Sequence, residues 1–156
     1  MVGLSTTVAR ADRSQPVRVA VIGVRNQGRT LAAQLAEMDD VSLVGLCDVD
    51  LDLRAAALKS VTEKQDTEPR WESDFRRLLD DDSIDAVVIA TPDHWHAVMG
   101  VLACQAGKDV YLEKPVSHTI EEGRRLVDVA RRTDRVMQTG LQQRSGAHFQ
   151  SAIELV

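Results

Sequence analysis

The chain has 156 residues, enough for one domain with a substantial core, and its 44% hydrophobic and 28% charged content excludes a disordered chain. With 24 acidic against 19 basic residues the formal net charge is −5, which argues against a nucleic-acid partner held by phosphate neutralisation. No segment approaches the roughly eighteen continuous apolar residues of a membrane span, so no membrane partner is expected.

Residues 1–16 are small and polar and read as a flexible N-terminal arm. Ala9-Arg10-Ala11 has the small-x-small spacing of a cleavage site, which leaves open a clipped export leader. Val17 to Ile22 is rich in β-branched residues and predicts a buried strand ending at Gly23. After Gly28, the recurrence of Leu31, Ala32, Leu35, Ala36 and Met38 predicts a helix. Val41 to Cys47 predicts a second strand running into Asp48. Asp50 is placed as the cap of a helix carrying Leu51, Ala55, Ala56 and Leu58, and a short third strand is expected near Trp71. Ser73 is placed as the cap of a brief helix with Phe75, Leu78 and Leu79 inward.

Ile84 to Ala90 reads as a strong buried strand, followed by Thr91-Pro92-Asp93-His94-Trp95-His96 and a helix that runs to Ala106 and stops at Gly107. Asp109 to Leu112 predicts a further strand, ending in Glu113-Lys114-Pro115. Thr119 and Glu122 have capping-box spacing, opening a helix expected to bury Leu126, Val127 and Ala130. Arg135 to Thr139 is the last predicted strand, Gly140 to Arg144 follows, and an apolar helix starts near Ala147. Cys47 and Cys104 fall in buried elements without C-x-x-C spacing. That pattern fits two thiols in a reducing compartment, and a cytoplasmic location is expected.

Strands alternate with helices throughout, which predicts an α/β doubly wound parallel sheet of the Rossmann type, six strands in the order 3-2-1-4-5-6. The unusual residues all fall just past the carboxyl ends of strands, where such sheets bind ligands. Gly23-Val24-Arg25-Asn26-Gln27-Gly28 follows the G-x-G-x-x-G dinucleotide fingerprint, with Arg25 in the middle glycine position. A side chain there crowds a pyrophosphate, although a guanidinium also donates to one. Asp48, twenty residues past Gly28, can accept both hydroxyls of an adenosine ribose and repels a 2′-phosphate. NAD is therefore the expected cofactor, with NADP left open by Arg25 and Arg54. The bland alternative is a strand-to-helix turn capped by an aspartate that binds nothing.

Thr91-Pro92-Asp93-His94-Trp95-His96, with Glu113-Lys114-Pro115 at the end of the next strand, resembles the N-terminal half of the Gfo/Idh/MocA family, the glucose–fructose oxidoreductases and inositol dehydrogenases. The resemblance runs from about Val17 to Val156. It implies a domain that uses NAD or NADP to oxidise or reduce a carbohydrate-like substrate. It implies that Gly23, Val24, Arg25, Asn26, Gln27 and Gly28 hold the pyrophosphate and Asp48 the adenosine ribose. Thr91, Pro92 and His96 would then line the nicotinamide side, and Glu113 would contact the cofactor ribose. Lys114 would point at the reacting hydroxyl, aimed by a Lys114–Pro115 turn that is commonly cis in the family. Hydride loss from an alcohol carbon needs its O–H proton removed, and a nearby ammonium stabilises the forming alkoxide. Gln142 and Arg144 fall where the family reaches the substrate side.

Each assignment has a plainer counterpart. Lys114 reads equally as a surface lysine, and His118 as a polar residue beside a helix N-terminus. Trp71 and Trp95 read as packing residues. Asp93, His94 and His96 could be metal ligands, but two histidines without a third placed partner do not make a site, and no metal is expected.

Family enzymes continue into a second α/β domain that supplies most of the substrate pocket, a histidine general base and the oligomer interface. His94, His96, His118 and His148 do not match that base. The expectation is therefore a truncated, cofactor-binding half: an arm over 1–16, an NAD(P)-binding Rossmann domain over 17–145, and over 146–156 the start of a helix leading to an absent C-terminal domain. Its lineage would be an oxidoreductase acting on a sugar or polyol. A non-catalytic NAD-binding or interaction remnant is the alternative, and transient cofactor reduction during glycoside cleavage, known in relatives of the family, is a third reading. An apolar surface near the last strand and helix is expected to drive self-association.

Overall fold

Val17–Ile22 (β1) forms the middle of the molecule because its alternate residues feed two different cores. Val19 and Val21 point to one face of the sheet, while Ala20 and Ile22 point to the other, and all four are buried. A strand covered on both faces has no position for a polar residue, which is why it reads as a continuous apolar run.

The computed structural model describes residues 15–155. The predicted arm over 1–16 lies almost wholly outside the described residues. Around β1 are arranged Val41–Cys47 (β2), Arg70–Glu72 (β3), Ala86–Ile89 (β4), Asp109–Glu113 (β5) and Met137–Gly140 (β6). All pairings are parallel, in the predicted order β3-β2-β1-β4-β5-β6. The crossover helices are Asn26–Leu35 (α1), Arg54–Thr62 (α2), Arg76–Leu79 (α3), Asp93–Gln105 (α4) and Ile120–Thr133 (α5), with Ala147–Glu154 (α6) after the sheet. This is the Rossmann-type α/β fold expected from the alternation of elements.

Several elements differ from their predicted outlines for local reasons. Helix α1 begins at Asn26, before Gly28 rather than after it, and ends at Leu35, so Met38 is exposed. Asp50 caps a 3-10 turn, Leu51–Leu53, by accepting the Asp52 N–H at 3.1 Å, and α2 starts only afterwards. Three residues wound at three per turn rotate the following helix face by about 60° relative to an unbroken α-helix. Accordingly Ala57 and Val61 face inward, and Leu51, Ala55 and Ala56 are exposed. Ser73 does not cap α3, whose N-cap position is Phe75; the nearest carboxylate is Asp74, its Oδ1 accepting the Arg76 N–H at 3.1 Å.

Helix α5 opens with the predicted capping box between Thr119 and Glu122. It buries Leu126 and Val129, an i, i+3 pair, and leaves Val127 exposed. Asp134 ends this helix in the left-handed region at φ 53°, and the Arg135 N–H turns back to the Ala130 carbonyl. That cap delays β6 to Met137. At the amino edge of the sheet, Lys108 is buried and its Nζ donates to the Asp81 carbonyl at 2.7 Å and the Ile84 carbonyl at 3.0 Å. Cys47 and Cys104 are both buried and unbridged. Among the described residues no helix is long and apolar enough to cross a membrane.

Candidate functional site

The carboxyl edge of the sheet is built on two glycines that admit no side chain. Gly23 has φ +84°, and a Cβ there would lie 2.8 Å from the Ala90 carbonyl oxygen and 2.9 Å from the Thr91 nitrogen. The turn after β1 is thereby pressed against the turn after β4. At Gly28, inside the first turn of α1, a Cβ would stand 1.7 Å from the Gly23 carbonyl oxygen. The helix thus packs directly on the turn that precedes it. No side chain caps α1, whose N-cap residue is Arg25, so its first amides have no intrahelical partner and carry the positive end of the helix dipole.

Arg25 does not reach over this turn. Its Nη2 donates to Asp50 Oδ2 at 2.8 Å, joining the glycine turn to the segment after β2. Asp48 makes a second junction between the same segments: Oδ2 accepts the Val24 N–H at 2.9 Å and Oδ1 accepts the Asp50 N–H at 3.0 Å. Each carboxylate oxygen retains a lone pair for a further donor, which is what a ribose diol supplies. These residues line a cleft of about 680 Å³ whose other walls are Phe75 and Arg76 after β3 and Thr91, Pro92 and Trp95 after β4. The predicted packing role of Trp95 does not fit its position, since it is 45% exposed and faces this cleft. Trp71 packs against the β1–β2 core, and its Nε1 is buried with no partner among the described residues.

Beyond the cleft the remaining predicted residues fall into three settings. His96 is 1% exposed and sits behind the wall, with Nδ1 2.6 Å from the Pro115 carbonyl and Nε2 2.8 Å from the Thr91 carbonyl. It ties the turn after β4 to the turn after β5. Glu113 is also buried, and its carboxyl gathers donors from three elements: Gln27 Nε2 of α1 at 3.2 Å, the Lys114 N–H at 3.1 Å, and Gln142 Nε2 beyond β6. Lys114 itself is exposed, its Nζ engaged with no partner among the described residues, and the Lys114–Pro115 bond is cis.

Gln142 lies in a 3-10 turn, Gln142–Ser145, and with Arg144 borders a separate groove of about 830 Å³ on the α1 side of the sheet, which Leu31, Leu35 and Met38 also line. Thr91 Oγ1 lies 3.7 Å from Met99 Sδ. Burial pushes the Cys47 thiol up to about 12, aided by the negative charges of Asp48, Asp74 and Glu72. The Tyr111 hydroxyl is also raised, first by burial and then by Glu113. Among the described residues no three His, Cys, Asp or Glu side chains gather as a metal site.

Sequence reasoning did not reach the Arg25–Asp50 pair, the Gln27–Glu113–Gln142 link or the place of Phe75, Arg76 and Trp95 in the cleft. The alternation Asp48, Asp50, Asp52 was the available signal for the first of these, marking a loop in which acids serve the backbone.

An uncapped helix N-terminus behind a tight glycine turn, with an acid at the end of the adjacent strand, defines a dinucleotide-binding Rossmann domain. Residues 17–141 match the oxidoreductase family with the NAD-binding Rossmann fold, Gfo/Idh/MocA, and the chain belongs to that family. It is 33% identical over 138 residues to glycosyl hydrolase family 109 protein 1 of Shewanella sp., covering 86% of this chain and 30% of that protein. It is 35% identical over 128 residues to the glycosyl hydrolase family 109 protein of Saccharopolyspora erythraea, covering 80% and 28%. The solved myo-inositol 2-dehydrogenase of Lactobacillus plantarum matches with a TM-score of 0.78 at 25% identity, over 90% of this chain and 41% of that one. The chain therefore spans about three tenths of the length of these curated relatives.

Proposed function

We propose that this chain is the cofactor-binding half of an NAD-dependent oxidoreductase that moves hydride to or from a sugar or polyol. The observation that carries the reading is the one cleft lined by Gly23, by Arg25 at the N-cap of the uncapped helix α1, and by Asp48. The pyrophosphate fits the amides of Asn26 and Gln27, and the adenosine ribose fits the Asp48 carboxylate, whose charge favours NAD over NADP. When bound, the nicotinamide accepts or supplies the hydride. Lys114, free of any ion pair among the described residues, holds its ammonium beside the substrate hydroxyl and stabilises the oxygen as its proton departs. Glu113 and His96 fix the backbone on either side of that lysine, and Thr91 and Pro92 close the nicotinamide side. In this reading residues 17–145 are the cofactor domain and 146–156 open the way to a second α/β domain, which supplies the general base and most of the substrate pocket. Gln142 and Arg144 face the substrate side.

The names of the curated relatives favour a second reading, in which the cofactor is reduced and reoxidised within one round of glycoside cleavage. Net NADH release distinguishes simple oxidation from that cycle.

Calorimetric titration of the purified chain with NAD and NADP tests the common part. Micromolar NAD binding is expected, weakened at least tenfold in Asp48→Ala with the circular dichroism spectrum unchanged. A folded chain that takes up neither nucleotide overturns the reading and leaves a non-catalytic interaction module.

A further inference from the structure

We propose that Asp50 is a specificity-determining residue that excludes NADP by holding Arg25 in an ion pair at the adenosine end of the cleft. This rests on the cofactor reading above and concerns how that site chooses between its two nucleotides. An unpaired arginine on the rim of an acid-lined ribose site is the ordinary partner of a 2′-phosphate, because its planar fork matches phosphate oxygens. Arg25 stands in that position, and both it and Asp50 line the cleft with Asp48.

The pair is organised from the acid's side. The Asp50 N–H donates to Asp48 Oδ1 at 3.0 Å, and Asp50 Oδ1 accepts the Asp52 N–H at 3.1 Å. Those bonds aim the second oxygen, Oδ2, at Arg25 Nη2, 2.8 Å away. The carboxylate is thus set by its own loop and the guanidinium comes to it. Side-chain exposures of 69% for Arg25 and 36% for Asp50 make the pair itself weakly stabilising. Its importance lies in what it presents to a third charge. A 2′-phosphate entering here meets Asp48, Asp50 and an already neutralised guanidinium, whereas the neutral 2′-hydroxyl of NAD simply donates to Asp48. Arg54, the other cation noted near this end of β2, does not line the cleft and has no ion-pair partner among the described residues.

Asp50→Asn tests this, because asparagine keeps an oxygen for the Asp52 amide while removing the charge. Calorimetric titrations of the full chain with NAD and NADP are compared for the wild type, D50N, R25A and the double variant. In D50N the NADP affinity is expected to rise about tenfold while NAD affinity stays within about threefold. In the double variant that gain is expected to vanish. An unchanged NADP-to-NAD affinity ratio in D50N, with NAD binding intact, overturns this inference alone. A gain that survives in the double variant also overturns it, since Asp50 would then act without Arg25. A wild type that binds neither nucleotide overturns the cofactor reading and this inference with it.

Discussion

Cys47 shows how a single residue inherits the character of its surroundings. It ends β2 one position before Asp48, and its thiol is held near 12 instead of the ordinary 9.0, first by burial and then by neighbouring acids. Because the folded value lies above the unfolded one, the folded chain keeps the proton where the unfolded chain loses it. The contribution of this thiol to stability is therefore constant below pH 9 and is lost as the pH rises from about 9 to about 12. The same environment predicts that Cys47 gives no reaction with a disulfide reagent at pH 8 in the native chain and reacts fully once the chain is unfolded in urea. At this scale the sequence was informative where a residue's role depends on chain neighbours. Gly23, Gly28 and Asp48 could be placed because spacing puts the two glycines at one turn and the acid at the end of the next strand. His96 and Trp95 could not be sorted, because nothing in Thr91-Pro92-Asp93-His94-Trp95-His96 says which of the last two side chains turns inward. The inward one is His96, drawn in by two carbonyls from turns 19 and 5 residues away.

Single elements carry their start signals locally and their faces globally. The capping box of α5 needs only residues 119 to 122, with the Thr119 hydroxyl accepting the Glu122 N–H at 3.2 Å and Glu122 Oε2 accepting the Thr119 N–H at 2.9 Å. Thr119→Ala is expected to lower the unfolding free energy by about 1 kcal/mol in urea titration, without changing the m-value. Which side of a helix packs depends instead on how it is phased against the sheet. For α2 the 3-10 turn shifted that phase and exposed Ala55 and Ala56. For α5 the inward pair is Leu126 and Val129, so apolar character at Val127 misled. Such a rotation changes no residue in the pattern, only the direction each one points.

The whole molecule was the most legible level, because alternation of strands and helices leaves few parallel topologies open. Its strand order brings the glycine turn, Asp48, Thr91 and Lys114 to one edge of one sheet. Less legible was how unevenly the two faces are covered. The groove bordered by Leu31, Leu35, Met38 and Leu141 leaves apolar surface on the α1 side, and α6 buries none of its own residues while exposing Ile153 and Phe149. We expect this surface to promote self-association. Sedimentation velocity over a concentration series is expected to show species heavier than the 17.2 kDa chain, and a single monomer boundary at all concentrations would count against it.

The Glu113 carboxyl also makes the support of Lys114 a property of the completed sheet. The Gln27–Glu113 bond closes a loop of 86 residues and the Gln142–Glu113 bond one of 29. Closing long loops costs entropy that only an assembled sheet repays. The backbone that carries Lys114 thus gains this support only when β1, β4, β5 and β6 already lie side by side.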